Sequence, residues 1–228
     1  MQEPYTGNMD FLIDYVICID ASWQSRFFIE DLKKRAETFL DQFKKEIQDN
    51  DWSFHRLRVK VVLFHDDGCD EPAIEESPFF TLYSYKDNPD QYAEFVKFVR
   101  SIRAVGEATG KNALPALAAA LRSDWVKAPG IRRHVVHFFT CTTPAEMREW
   151  KNAPDYPSEK PAILTDLENY WEQTMEKRSR RLAVFAPESA SSEFFYPLPN
   201  TIFVPTDPGS SLTELDFGSI LHLLVQQL

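Results

Sequence analysis

The sequence predicts an α/β fold, a doubly wound, mostly parallel six-stranded sheet with one antiparallel edge strand and helices on both faces. Three observations lead there. Short apolar runs alternate along the chain with segments whose apolar residues recur every three or four positions. Several runs are apolar almost throughout, the pattern of strands covered on both faces. Three of them end in polar side chains, Asp20, His65-Asp66 and Thr140-Cys141, which a parallel sheet delivers to its carboxyl edge, where ligands of such folds usually bind.

Phe11 to Asp20 reads as a buried strand with a carboxylate at its tip. From Arg26 to Gln48, Phe27, Phe28, Leu32, Ala36, Phe39, Leu40, Phe43 and Ile47 mark one amphipathic helix. Leu57 to Phe64 is a second strand, running into the acidic turn His65-Asp66-Asp67-Gly68. Phe79 to Tyr83 is a third strand, antiparallel because the link to it shows no helical period. Helices follow from about Pro89 to Ile102 and from Asn112 to Trp125, separated by Val105-Gly106-Glu107-Ala108-Thr109-Gly110. Val135 to Thr140 is the most apolar strand. After a proline-rich stretch, Pro154 to Pro161, come a helix over Leu164–Glu176, strands at Leu182–Ala186 and Thr201–Val204, and a closing helix over Leu212–Gln227.

At 228 residues with 43% hydrophobic side chains, the chain has enough material for a single domain, 1–228, without disulfides or a structural metal. A formal charge of −10 repels phosphate backbones, and the basic clusters Arg132-Arg133 and Lys177–Arg181 each precede an apolar run as solvated strand starts, so no nucleic-acid role is expected. Cys18, Cys69 and Cys141 cannot pair completely and show no CxxC spacing, which fits a reducing compartment. Neither a signal-like start nor a membrane-spanning apolar run is visible, so the expected location is the cytoplasm, without membrane association.

With these elements in order, the chain resembles the von Willebrand factor A (vWA) family along essentially its whole length. In that family a metal-ion-dependent adhesion site begins with Asp-x-Ser-x-Ser after the first strand. Here the segment is Asp20-Ala21-Ser22-Trp23-Gln24. The chain is most similar to a bacterial intracellular subgroup. Its counterparts here are Leu57-Arg58-Val59 with His65-Asp66, Gly106-Glu107-Ala108-Thr109, Ser123-Asp124-Trp125, Thr140 to Pro144, and Arg180 to Pro187. The resemblance implies Asp20, Ser22 and Thr109 as oxygen donors to a divalent cation such as Mg²⁺. Gln24 replaces the second serine and Cys141 the third-loop aspartate, exchanging a hard oxygen for a soft thiol. Glu107-Ala108 stands where the family has glycines, and Trp23 where it has a small residue. The implied site is degenerate, and no cofactor is expected; Mg²⁺ is the ion an altered site would take.

Other side chains invite sharper readings. Cys141 as a nucleophile would need a base; His137 is four residues away on the same strand, roughly 13 Å, so His65 is the better candidate. An inert thiol at an apolar strand end is the alternative. Asp14 reads as a solvent-facing strand-start residue, Asp66 as a turn residue beside Asp67 and Gly68, and Trp125 as an anchor under the sheet. Phe194-Phe195-Tyr196-Pro197 is either a partner surface or a helix cover.

The expected function is a non-enzymatic protein-interaction or adaptor module in a bacterial or phage-related regulatory complex, its partners other proteins. The partner-binding edge comprises Trp23, Gln24, Asp66, Asp67, Glu107, Cys141 and Thr142. Two alternatives stay open, Mg²⁺-dependent ligand binding through an altered adhesion site and a cysteine-based enzyme using Cys141. A subunit role through the aromatic loop or the closing helix is a third.

Overall fold

The computed structural model describes residues 11–66, 69–85, 91–144, 164–188, 193, 195–196, 198–208 and 212–228, with backbone alone for 164–166. In chain order the elements are β1 (Phe11–Asp20), a 3₁₀ turn (Trp23–Ser25), α1 (Arg26–Arg35), α2 (Phe39–Asp49), β2 (Arg56–Phe64), β3 (Ile74–Glu76) and β4 (Phe80–Ser84). They continue with α3 (Tyr92–Ser101), α4 (Ala113–Leu121), β5 (Ile131–Phe139), α5 (Leu164–Gln173), β6 (Arg180–Pro187), β7 (Thr201–Thr206) and α6 (Phe217–Gln226). The proline-rich stretch 154–161 lies outside the described residues.

The strands form one seven-stranded sheet in the order β3-β2-β1-β5-β6-β7, with β4 also on β2. β1, β2, β5, β6 and β7 run parallel. β3 and β4 both pair antiparallel with β2, β3 against Val62–Phe64 and β4 against Arg56–Val59. The α/β class, the parallel core and the antiparallel edge are therefore as expected, with one strand more than six. The extra strand belongs to a single interrupted edge. Pro78, which has no N–H to give, breaks it, and Ser77 fills the gap by accepting the Val61 N–H with its hydroxyl (2.9 Å). Chain direction across the sheet reverses beside β1, so the switch point lies between the ends of β1 and β5.

Alternation along β1 sorts two cores. Ile13, Tyr15, Ile17 and Ile19 face α1, α2, α3 and α6. Val16 and Cys18 face α4 and α5. α4, Ala-Leu-Pro-Ala-Leu-Ala-Ala-Ala-Leu, is buried all round; its alanines allow close approach to the sheet, and Pro115 stands in the first turn, where no N–H is missed.

Three expected boundaries shift. The single helix over Arg26–Gln48 is two, because at the break the Tyr92 hydroxyl donates to the Ala36 carbonyl (2.8 Å) and the Thr38 hydroxyl to the Arg35 carbonyl (3.3 Å). The closing helix begins at Phe217 rather than Leu212. Leu212 is left-handed (φ 59°) and the Asp216 carboxylate caps the helix through the Ser219 N–H (2.9 Å). Asp216→Ala is expected to cost about 1 kcal/mol, read from urea unfolding. β5 starts at Ile131, since Phe11 and Leu12 pair with Ile131 and Arg132.

Asp14, expected to face solvent, is fully buried near the amino edge of the sheet. It takes a fork from Arg58 (Nε 2.7 Å, Nη2 2.6 Å) and the Val126 N–H (2.7 Å). Trp125 is buried beside it, stacked on His134 at 5.1 Å. No helix among the described residues is long and apolar enough to cross a membrane.

Candidate functional site

The carboxyl ends of β1, β2 and β5 and the loop before α4 meet at the switch point. Asp20, at the tip of β1, is buried at 2% exposure. One carboxylate oxygen accepts the Ser22 N–H (3.0 Å), the other the Cys141 N–H (3.1 Å), so Asp20 joins the ends of β1 and β5. Burial pushes its pKa up; Ser22 and the Cys141 N–H pull it back, and the negative charge of Asp66 raises it further.

The 3₁₀ turn after β1 sorts the next side chains. Residues three apart eclipse in such a turn, so Ser25 rather than Gln24 shares the inner side with Ser22. Ser25 Oγ lies 3.0 Å from Cys141 Sγ. Gln24 turns the other way, and its amide oxygen accepts the Ala108 N–H (3.2 Å). Backbone bonds from Trp23 N to Gly106 O (3.0 Å) and from Val105 N to Ala21 O (2.9 Å) complete the seam between the first and second loops.

Asp66 does more than turn the chain. Its carboxylate takes the backbone N–H groups of Thr109 (2.6 Å), Gly110 (2.7 Å) and Asn112 (2.8 Å). Gly106 (φ 78°) and Gly110 (φ 76°) supply the left-handed geometry that turns this loop. Donors converging at a helix start make a ready anion site, here occupied by the chain's own carboxylate. The Asn112 side chain adds a bond to the His65 carbonyl (2.8 Å). Asp66→Asn, which removes one charged acceptor from a buried set, is expected to cost about 1–3 kcal/mol and to speed amide hydrogen exchange at 109–112 selectively.

These placements decide how well the residues suit a hard divalent cation. Both Asp20 oxygens and the Gln24 amide oxygen are engaged within the chain. Thr109 is exposed. The Cys141 thiol has its pKa pushed up to about 12 by burial and by Asp20, partly offset by the Ser25 contact, so at neutral pH it is a protonated soft atom. Ser22 Oγ is buried without a well-formed hydrogen bond, although it lies near enough to Asp20 to favour the ionised carboxylate. Among the described residues no three His, Cys, Asp or Glu side chains converge as metal ligands. The set does not fit an octahedral oxygen-ligated ion.

The sites for a thiol nucleophile are likewise apart. His65 is held by the Pro72 carbonyl (3.1 Å) and the Arg103 carbonyl (3.4 Å), and His137 is in the core. Iodoacetamide at pH 8 is expected to label Cys141 only on unfolding; rapid labelling of the folded protein would contradict this placement.

Of the residues expected at the partner edge, Asp66 and Cys141 are buried, Gln24 and Thr142 are half-buried, and Trp23 and Glu107 are exposed. Asp67 lies outside the described residues, as do Phe194 and Pro197. Of the aromatic loop's other members, Phe195 is buried and Tyr196 exposed. Sequence reasoning missed Arg26 and Asn112, and it placed Ser25 in the first loop without foreseeing its contact with Cys141. The three-residue period of a 3₁₀ turn after Ser22 would have pointed to Ser25.

Strand order, switch point and loop positions define the class, an α/β domain with a doubly wound, mostly parallel, Rossmann-like sheet. Among solved structures it is similar to the pilus adhesin SpaC from Lactobacillus rhamnosus GG, with TM-score 0.58 and 11% identity over 96% of this chain and 31% of that one. The chain thus spans about a third of the adhesin, and the likeness shows a shared fold. An aerotolerance-related membrane protein from Bacteroides fragilis NCTC 9343 aligns at TM-score 0.41 and 13% identity, over 95% of this chain and 100% of that one. No family model and no curated protein matches the sequence.

Proposed function

We propose that the chain is a non-enzymatic protein-interaction module of vWA type whose loop edge binds a partner protein without a metal ion, in a bacterial or phage-related regulatory assembly. One observation carries this reading. Asp20 and Gln24 of the implied ion site, and Asp66 beside them, are spent on hydrogen bonds that knit the loops together, while Trp23 and Glu107 at the same edge are exposed. Loops tied in this way form a preformed surface, which lowers the ordering cost of binding. The adhesin with the similar fold is consistent with an interaction role; its name speaks for that protein alone.

A second reading, Mg²⁺-dependent binding, draws on the buried, unbonded Ser22 hydroxyl. Calorimetric titration with Mg²⁺, Mn²⁺ and Ca²⁺ separates the two. The expected result is no binding tighter than millimolar. Micromolar binding abolished by Asp20→Ala would overturn the metal-free reading.

A further inference from the structure

Two large side chains at this edge are more exposed than their chemistry favours, Trp23 at 59% and Phe27 at 55%. Between them stands the Arg26 guanidinium, 4.7 Å from the Trp23 ring centre and 4.2 Å from that of Phe27. The stack is anchored. Trp23 N–H bonds to Gly106 O (3.0 Å), and Arg26 Nη1 donates to Trp23 O (3.0 Å). No acid pairs with Arg26 among the described residues, although Glu30 and Asp31 follow on the same helix; those bind Lys33 and Arg35 instead. Phe27 also lines a groove of ≈ 410 Å³ between α1 and the segment Leu212–Phe217, whose walls are mostly polar, with Asp31, Lys34, Arg35 and Asp216 among them.

Resting on the edge-binding reading above, we propose that Trp23, Arg26 and Phe27 form the recognition platform for a partner segment carrying an Asp or Glu carboxylate next to an apolar side chain. With Nη1 spent on the Trp23 carbonyl, the Nε–Nη2 side of this guanidinium is left for polar contact, and that two-donor edge matches two coplanar oxygens. Aromatic neighbours hold it in place and keep water from its faces, so less side-chain freedom is lost when a carboxylate docks. Exposed Trp and Arg together are the composition of interface hot spots. The apolar neighbour of the acid packs on the exposed ring surface of Trp23 and Phe27. A carboxylate rather than a phosphate is the favoured anion, because the nearby acids Glu30, Asp31 and Glu107 and the overall charge of −10 oppose a dianion more than a single charge.

The test uses the full chain and displayed seven-residue peptide libraries, one with a fixed central Asp or Glu, one with Asn or Gln, and one with phosphoserine. Preferential enrichment from the acidic library is expected, with flanking apolar residues in the selected peptides. Their affinity is expected to fall at least tenfold in Arg26→Gln and in Trp23→Ala, and less in Arg26→Lys, each variant keeping the parent melting temperature. Equal enrichment from the Asn or Gln library, or unchanged affinity in Arg26→Gln, would overturn the proposal. If those peptides are still lost on Trp23→Ala or Glu107→Lys, edge binding itself stands. Stronger enrichment of phosphoserine would overturn the carboxylate assignment. Selected peptides insensitive to every edge variant would overturn both readings.

Discussion

Asp14→Ala is expected to destabilise the protein by about 3–5 kcal/mol, the cost of removing one partner from a buried ion pair. The carboxylate is fully buried and takes three donors, two from the Arg58 fork and one from Val126. Without it, the mostly buried guanidinium is left, among the described residues, with the Asp124 carbonyl (3.0 Å) and the Phe79 ring at 4.4 Å, and the Val126 N–H loses its acceptor. At about 2–4 °C per kcal/mol for a chain of this size, the melting temperature drops by about 10 °C. The double variant Asp14→Leu/Arg58→Met should recover much of the loss, because two matched apolar groups leave no orphaned charge. A loss below 1 kcal/mol for Asp14→Ala would show that the pair is not buried as described.

The second large effect is acid destabilisation through His137. Its ring is fully buried between the Tyr15 hydroxyl (Nδ1, 3.0 Å) and the Gln227 amide oxygen (Nε2, 2.8 Å). Gln227 uses its NH₂ on the Leu182 carbonyl (3.3 Å), so its oxygen accepts from Nε2–H, and Nδ1 accepts from Tyr15. Burial lowers the His137 pKa from 6.5 to about 4, with the Gln227 bond opposing. Between those values the unfolded chain binds a proton that the folded chain refuses. Stability from this group is whole above about pH 6.5 and is lost as pH falls towards 4, by about 3 kcal/mol. His134, also lowered by burial, adds in the same direction. Asp20, raised by burial, works the other way, its folded form gaining as pH falls through its raised value. Urea unfolding from pH 7 to 4 measures the loss. His137→Gln, although less stable at pH 7, should show a flatter profile, and an unchanged profile would remove His137 as the cause.

The strands and helices were largely legible, since their signals are local. Period-two and period-3.6 patterns reflect which side of each element meets the core, and they placed the strands of the parallel core and their carboxyl tips. β3 was missed because Ile74–Glu76 is short and polar, with only its pairing to β2 to define it. The helix break at Ala36–Thr38 carries neither proline nor glycine; a tyrosine from α3 takes up a carbonyl there.

The candidate site was legible as a place rather than as chemistry. Motif position singles out Asp20, Ser22, Gln24, Thr109 and Cys141 and assigns them to the strand ends and loops of one edge. What each does there depends on groups brought in by the fold. Gln24 meets Ala108 from 84 residues away, and Cys141 meets Ser25 from 116. Arg26 looked like the first residue of a helix; only its setting between Trp23 and Phe27 makes it a presented cation.

By itself the sequence determined the α/β class, the direction of most strands and the edge at which polar side chains gather, because hydrophobic burial acts on residue type and spacing. The tertiary structure alone decided that Asp14 is buried in an ion pair, that Asp66 fills a helix-start anion site, and that Asp20 and Gln24 tie loops together. Hydrogen bonds are short and directional, and their partners here lie tens of residues apart, so no local pattern encodes them.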